Sequence, residues 1–203
     1  MSILPGPDDV YAFWLGQAIS DADAARERNK MWFSKSELTD AELTLRFSAL
    51  LTYLADGAAE NWAARGPQPR LAAIIVLDQF SRNIYRGRPG AFAQDQLAHQ
   101  LASNGLRVGD DRGLSEVERI FFYLPFEHAE SLADQDRAVA LFTKLVDEAR
   151  PAFKSLCENT LDYAHKHREV IAQFGRFPHR NAILGRPSTQ AEKAYLAKPG
   201  AGF

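Results

Sequence analysis

Apolar residues recur at helical spacing along most of the chain, and each run stops at a proline or a glycine. Between Ala138 and Val146, five apolar residues are spaced by 3, 1, 3 and 1, so they form one apolar face on an α-helix. Pro151 follows this run, and Gly66 with Pro67 ends an earlier one. No segment has the convincing alternation that is typical of β-strands. The pattern therefore predicts an all-α fold, an array of antiparallel helical hairpins.

Length and charge limit both the size of the fold and its partners. A chain of 203 residues fits a single all-helical domain over residues 1–203, which would bury roughly 70% of the surface of the unfolded chain. The formal net charge of −2 supplies no field that would attract nucleic acid or an anionic membrane. We therefore expect neither partner. The oligomeric state is beyond the sequence.

The single cysteine and the N-terminal segment indicate the compartment. Cys157 is the only cysteine, so the chain can form no internal disulfide and no multi-cysteine zinc site. It lies on the inward face of its helix, where we expect a buried, unreactive thiol. The first fifteen residues include Asp8 and Asp9 but no basic residue, unlike a secretory signal. The apolar runs are too short to span a bilayer. These features predict a cytoplasmic protein.

Capping signals place several helix starts, and one proline marks a break. We expect a loop that can contain a helical turn over residues 16–29, where small and charged residues follow no clear period, and a linker held against the core at residues 31–33. Pro125 is expected to kink or end its helix because it removes a backbone donor. Three capping boxes and one serine predict helix starts at Thr39, Ser115, Thr189 and Ser131.

An acidic residue, Asp78, continues the apolar stripe of the segment from Arg70 to Tyr85. A buried carboxylate is unfavourable unless a partner compensates its charge. Arg82 lies four residues further on, where a helix brings two side chains together. We therefore expect these two residues to pair.

A turn rich in hydrogen-bond donors, Phe174–Asn181, follows the longest amphipathic segment. Gly175 can adopt the left-handed conformation that ends a helix, and Pro178 fixes its own φ. The two phenylalanines are expected to anchor the turn inward. The donors that the turn presents are Arg176, His179, Arg180 and Asn181.

Three polar clusters end strongly apolar segments: residues 78–83, residues 128–130 and residues 176–181. If the helices stack as hairpins, these ends can converge on one side of the molecule. Our first hypothesis is a site for a small anionic ligand or an acidic peptide end, because guanidinium groups match carboxylate and phosphate oxygens. The ligand-binding residues of this hypothesis are Arg82, Asn83, Arg176, His179, Arg180 and Asn181.

Three further interpretations stay open. In a hydrolase, His128 or His179 would be the general acid–base, and Asp78 or Glu130 would orient its imidazole. In a purely structural network, the same residues would lock helix ends together. In a scaffold, exposed helix faces would bind a partner protein. No pair among these residues has the i, i+4 spacing of a helical metal motif, so we predict no metal and no cofactor.

The other histidines carry weaker signals. His165 and His167 are two residues apart on a helix and therefore point about 200° apart. We expect both to be surface residues. His99 falls on the polar side of its own helix.

The three clusters resemble the signatures of a bacterial protein family, domain of unknown function 924. The resemblance lies in Leu77–Gly87, Phe126–Glu130 and Phe174–Asn181 and covers nearly the whole chain. It implies a single all-α domain related to tetratricopeptide-repeat proteins and brings no established activity. The sequence departs from the family pattern at Ser81, where a proline is expected, and at Ala129, where a serine is expected. The missing hydroxyl argues against a serine nucleophile at Ala129.

Overall fold

Helices joined by short turns make up most of the structure. This computed structural model describes residues 4–202, and none of those residues lies in a β-strand. The prediction of an all-α fold is confirmed. The α-helices are α1 Pro7–Trp14, α2 Ala22–Phe33, α3 Glu37–Tyr53, α4 Ala59–Ala63, α5 Pro67–Ile74, α6 Ser81–Ile84, α7 Asp95–Val108, α8 Glu116–Glu127, α9 Leu132–Glu148, α10 Lys154–Phe174 and α11 Gln190–Leu196.

The expected loop over residues 16–29 is wrong, because most of it forms helix α2. Asp21 caps this helix by accepting hydrogen bonds from the backbone N–H groups of Asp23 and Ala24. The expected linker is also wrong, since residues 31–33 end the same helix. Trp32 is nevertheless held against the core, where its indole N–H donates to the Trp14 carbonyl over 2.9 Å. Because the buried face of this helix is narrow, its sequence shows no clear apolar period.

The predicted start of helix α3 also differs from the structure. Ser36, rather than Thr39, is the capping residue, and its hydroxyl accepts from the Thr39 N–H. Because the Ser36 hydroxyl accepts a hydrogen bond from this N–H group, the helix starts earlier in the chain than predicted. At the far end of α3, Gly57 has a φ of 109° and separates α3 from α4. An ordinary L-residue is strained at that φ.

The caps predicted at Ser115, Ser131 and Thr189 are confirmed. Pro125 lies within α8, which ends two residues later at Glu127. Every residue of α8 except Arg119 is buried. The end of this buried helix therefore carries the next residue, His128, into the interior.

Helix α8 is the central helix, because α5, α7, α9 and α10 all pack against it. α8, α9 and α10 are consecutive packed helices joined by short turns, which is the arrangement of antiparallel hairpins. The likeness to tetratricopeptide repeats stays a prediction. Among residues 4–202, no helix has both the length and the apolarity that crossing a membrane requires.

Candidate functional site

A π-helical turn, Ile75–Phe80, separates α5 from α6 and carries Asp78. The apolar stripe from Arg70 to Tyr85 does not indicate this interruption in the sequence. π-turns inside α-helices are rare and are frequent at functional sites. All six residues of the turn are buried. Asp78 therefore enters the core on a segment whose backbone departs from α-helical hydrogen bonding.

Side chains from α6 satisfy the carbonyl groups of the widened turn. Ser81 Oγ donates to the Leu77 carbonyl over 2.6 Å, and Arg82 Nη1 donates to the Asp78 carbonyl over 2.6 Å. Asn83 Nδ2 donates in the same way to the carbonyl of Gln79 over 3.1 Å. Each donor comes from the residue four positions further along the chain. The Ser81-Arg82-Asn83 sequence thus has a structural role, and Asn83, a predicted ligand-binding residue, uses its amide group internally.

Asp78 pairs with His128 across the core. The His128 Nδ1 atom lies 2.8 Å from Oδ1 and 3.0 Å from Oδ2 of Asp78. The Arg82 guanidinium lies 3.2 Å from the same carboxylate, as the sequence predicts. Burial opposes ionisation of Asp78, but Arg82 and His128 outweigh it and lower the pKa of the carboxyl group. Asp78 is therefore a carboxylate at neutral pH.

This pairing fixes the tautomer of His128. Burial lowers the pKa of His128, Arg82 lowers it further, and Asp78 opposes both effects. The imidazole is consequently neutral at pH 7. Because an ionised carboxylate only accepts hydrogen bonds, Nδ1 carries the hydrogen and Nε2 keeps its lone pair. Among the described residues, no side chain or backbone group is hydrogen-bonded to that Nε2.

Asp95, at the start of α7, joins two arginines from distant parts of the sequence. Arg82 binds both of its carboxylate oxygens, over 2.9 and 3.1 Å, and Arg180 binds it over 3.2 Å. Arg180 also donates to the His128 carbonyl over 3.1 Å. We call Asp78, Arg82, Asp95, His128 and Arg180 the cleft network.

Arg180 is held in an apolar slot between two aromatic rings. Its guanidinium carbon lies 4.7 Å from the ring centre of Phe92 and 4.6 Å from that of Phe177. The Nε–H group is buried, and no described residue accepts a hydrogen bond from it. Burial and the nearby Arg82 charge lower the pKa of Arg180 to about 10. The arginine stays charged at neutral pH, but its burial and its unmatched Nε–H group make that charge less stable than in water.

A cleft of about 470 Å³ opens beside this network. Phe92, Pro125 and Leu184 supply part of its apolar lining. Its volume lies in the range of small-molecule sites. The titratable residues that line it are Asp95, His99, His128, Glu130, Asp134 and Arg180.

Other predicted site residues form a second network, which we call the C-terminal clamp. Arg176 binds both carboxylate oxygens of Glu192 over 2.7 and 2.9 Å, and Arg186 binds both oxygens of Glu130 over 2.6 and 2.9 Å. Asn181 donates to Ser188 and accepts from Arg186. The members of the clamp are Glu130, Arg176, Asn181, Arg186 and Glu192.

The hypothesis that the three clusters converge is confirmed for some residues only. Asp78, Arg82, His128 and Arg180 meet, and Glu130 lies at the edge of the cleft. Arg176 and Asn181 belong to the C-terminal clamp instead. The Glu130 carboxylate also accepts the Phe177 N–H over 2.8 Å, which ties the clamp to the cleft.

His179 lies outside the residues that line the cleft. Its ring centre is 5.6 Å from that of Phe177. Burial and the neighbouring Arg180 lower its pKa to about 4. His179 is therefore neutral at pH 7 and belongs to the packed side of the turn. Gly175 ends α10 in the left-handed conformation with a φ of 71°, as predicted.

Sequence reasoning missed one histidine pair and misplaced another histidine. His99 and Asp134 line the cleft, and His99 Nε2 lies 2.9 Å from the Asp134 carboxylate. The sequence carries no signal for this pair, because its two members are 35 residues apart and His99 falls on the polar side of its helix. His167 is buried rather than exposed, with Nδ1 3.0 Å from Glu127. His165 is exposed, as predicted.

Cys157 has the character that the sequence predicts. It is a free, fully buried thiol, and burial with the Glu116 charge raises its pKa to about 11. Within residues 4–202, no group of three or more His, Cys, Asp and Glu side chains is arranged to hold a metal ion.

Comparison with known proteins agrees with the resemblance seen in the sequence. The model of a family described as bacterial proteins of unknown function (DUF924) matches residues 10–200. The chain belongs to this family. A solved structure of a protein of unknown function from Agrobacterium tumefaciens is similar, with a TM-score of 0.77 and 35% sequence identity. The likeness covers 94% of this chain and 96% of that one. No curated protein matches the sequence.

Proposed function

We propose that this DUF924 protein is a hydrolase in which His128 is the general base. The observation that carries the proposal is the Asp78–His128 pair at the edge of the cleft, with an Nδ1–Oδ1 distance of 2.8 Å. A neutral imidazole with an unengaged Nε2 is the form that accepts a proton from water. Asp78 holds the required tautomer and stabilises the imidazolium that forms during the reaction.

The proposed reaction is attack of water on an acyl group bound in the cleft. His128 Nε2 takes one proton from the water as its oxygen bonds to the carbonyl carbon. The bond from that carbon to the leaving group then breaks, and the leaving group departs with a proton. Arg180 donates a hydrogen bond to the backbone carbonyl of His128 over 3.1 Å. It therefore helps to position the base.

A hydrolysis screen with two matched variants tests the proposal. The screen contains small esters, amides and phosphoesters and uses the wild type, His128→Gln and His165→Gln. His165 is an exposed histidine on α10 and controls for the loss of an imidazole. We expect His128→Gln to lower kcat by about 10²- to 10⁴-fold. His165→Gln is expected to match the wild type.

The pH profile supplies an independent readout. Because the pKa of His128 is lowered, kcat/KM of the wild type is expected to fall only when the pH drops below the ordinary histidine value of about 6.5. The proposal fails if no substrate turns over. It also fails if His128→Gln keeps the wild-type rate.

Binding of a small anion is a second candidate function, and one observation favours it. The Nε–H of Arg180 is buried without an acceptor among residues 4–202, and such groups are rare unless a ligand or water satisfies them. Calorimetry with acetate, succinate and inorganic phosphate, together with an acidic peptide, tests this function. Saturable binding that is lost in Arg180→Met and kept in Arg176→Met supports it. If no probe binds, the anion-binding function is rejected.

The compartment and the partner remain part of the proposal. The buried free thiol of Cys157 supports a cytoplasmic location, because disulfide-free proteins are typical of reducing compartments. The proposed ligand or substrate is small, since the cleft has a volume of about 470 Å³.

A further inference from the structure

A second Asp–His pair lines the same cleft as the first. His99 projects from α7 and Asp134 from the first turn of α9. The His99 Nε2 atom lies 2.9 Å from Asp134 Oδ1. Asp78 and His128, by contrast, come from the π-turn and the end of α8. The cleft therefore gathers two imidazoles, each with its own carboxylate, from separate elements.

A helix cap fixes the backbone of Asp134. Ser131 caps α9, and its hydroxyl accepts from the Asp134 N–H over 3.4 Å. A carboxylate in the first turn of a helix is stabilised by the helix dipole. The His99 ring packs edge-on against Phe126, with 4.8 Å between the ring centres. Both members of the pair are thus fixed by contacts other than the one between them.

The two pairs use opposite ring nitrogens. His128 presents Nδ1 to its carboxylate, whereas His99 presents Nε2. The nitrogen that remains for a substrate is therefore Nε2 in His128 and Nδ1 in His99. Both side chains are partly exposed, 14% for His128 and 27% for His99. Hydrolysis of a bond with a poor leaving group needs two proton transfers, one from water and one to the leaving group.

We propose that His99, oriented by Asp134, is the general acid of the hydrolase, and that its substrates are unactivated esters or amides. This inference rests on the function proposed above. In the reaction, His128 takes a proton from the attacking water. Protonated His99 gives its Nδ1 proton to the departing alkoxide or amine as the bond to the acyl carbon breaks. Proton exchange with solvent then restores both histidines, so the cycle balances without a further reactant.

Two substrates that differ only in their leaving group test this assignment. The p-nitrophenyl and ethyl esters of acetate are compared, and then the same pair for whichever acyl group the screen selects. p-Nitrophenolate departs without a proton, whereas ethoxide needs one. We expect His99→Gln to lower kcat about 10²-fold or more for the ethyl ester. For the p-nitrophenyl ester we expect less than about a threefold change. His128→Gln is expected to lower both rates.

Asp134→Asn separates the orienting role from a general loss of structure. Like His99→Gln, it should lower kcat for the ethyl ester more than for the p-nitrophenyl ester, but by a smaller factor. The matched control is Asp136→Asn on the same helix, whose side chain is 54% exposed and pairs with Arg168. Asp136→Asn is expected to leave both rates unchanged. The thermal midpoint of each variant shows that it is folded at the assay temperature.

The outcomes distinguish the two proposals. In one outcome the wild type is active and His128→Gln is inactive, but His99→Gln lowers the rates for the two esters equally or lowers neither rate. The role of His99 is then rejected, while the hydrolase proposal stands. If His128→Gln keeps full activity, the hydrolase mechanism falls, and the role of His99 falls with it. The same holds if the wild type hydrolyses no substrate. A loss confined to the poor leaving group supports the assignment of His99.

Discussion

The cleft network and the C-terminal clamp are built from the same kinds of residue but are completed differently. Both use arginines from the Phe174–Asn181 turn and carboxylates from other elements. In the clamp, Arg176 engages both oxygens of Glu192, which also accepts the Thr189 N–H over 2.7 Å. In the cleft network, Arg180 leaves its buried Nε–H without an acceptor among the described residues.

This difference separates structural groups from functional ones within one eight-residue turn. A matched set of donors and acceptors stabilises the position of a segment. An incompletely matched set destabilises the folded state, and proteins keep such sets mainly at functional sites. Arg176 is therefore interpreted as a structural residue and Arg180 as a residue of the site. Substitutions in each network test this distinction.

Asp78→Asn is expected to have the largest effect on stability. Asp78 is fully buried between Arg82 and His128. Removing its charge leaves a buried arginine with less compensation, which typically costs about 3–5 kcal/mol. The thermal midpoint should fall by about 6–20 °C for a chain of this length.

The control for this prediction is Asp136→Asn, which should change stability by less than about 0.5 kcal/mol. Calorimetric unfolding of both variants measures the difference. If Asp78→Asn is as stable as the control, the charge of Asp78 does not hold the cleft network together.

Arg176→Met is expected to have the next largest effect. The Glu192 side chain is 3% exposed, so the substitution leaves a nearly buried carboxylate without its main partner. The expected result is a loss of stability, read as a lower midpoint in urea. An unchanged midpoint would contradict the structural role of the clamp.

Glu192 is expected to make the clamp sensitive to acid. Hydrogen bonds from Arg176 and from the Thr189 N–H lower its pKa from 4.5 to about 2. A lowered carboxyl pKa stabilises the folded state above the unfolded value, and this stability is lost as the pH falls from about 4.5 towards 2.

Urea unfolding across that window compares the wild type with Glu192→Gln. The variant should lose less stability than the wild type as the pH falls. Glu158→Gln, at an exposed position on α10, should behave like the wild type. Equal pH slopes in Glu192→Gln and the wild type would show that Glu192 does not make this contribution.

Arg180→Met is expected to have the smallest effect on stability. Methionine fits between the rings of Phe92 and Phe177, and Asp95 keeps its two bonds to Arg82. Because Arg82 still compensates the Asp95 charge, the substitution leaves no buried charge without a partner and removes a guanidinium whose burial is unfavourable. We expect a midpoint within about 1 kcal/mol of the wild type or above it. A fall as large as that of Arg176→Met would abolish the distinction between the two networks.

The fold was predictable because its signals are local. Apolar spacing and the caps at Ser115, Ser131 and Thr189 specify helices without reference to the rest of the chain. The prediction failed at residues 16–29, where α2 buries only Ala25 and Trp32. Apolar periodicity cannot reveal a helix whose buried face is that narrow.

The site was predictable only in part because its assembly depends on tertiary contacts. A buried acid on an apolar stripe identified Asp78, and the i+4 position identified Arg82. By contrast, Asp95, His99 and Asp134 have the sequence appearance of a solvated helix face. Only the packing of α7 against α8, and of α8 against α9, turns that face into a cleft lining. The division of the Phe174–Asn181 turn between two networks was likewise invisible, since all of its donors look alike in sequence.

The π-turn also determines how the site tolerates changes in chain length. Ile75–Phe80 contains more residues than an α-helix of the same rise needs, and three downstream side chains bond to the carbonyls of residues 77–79. A deletion of one residue in this segment can be absorbed by closing the turn into an α-helix, which leaves the orientation of the residues beyond it nearly unchanged. The insertion of one further residue has no such outlet and would rotate those residues by about 100°. Arg82 would then point away from Asp95, so the helix would survive but the site would be disassembled.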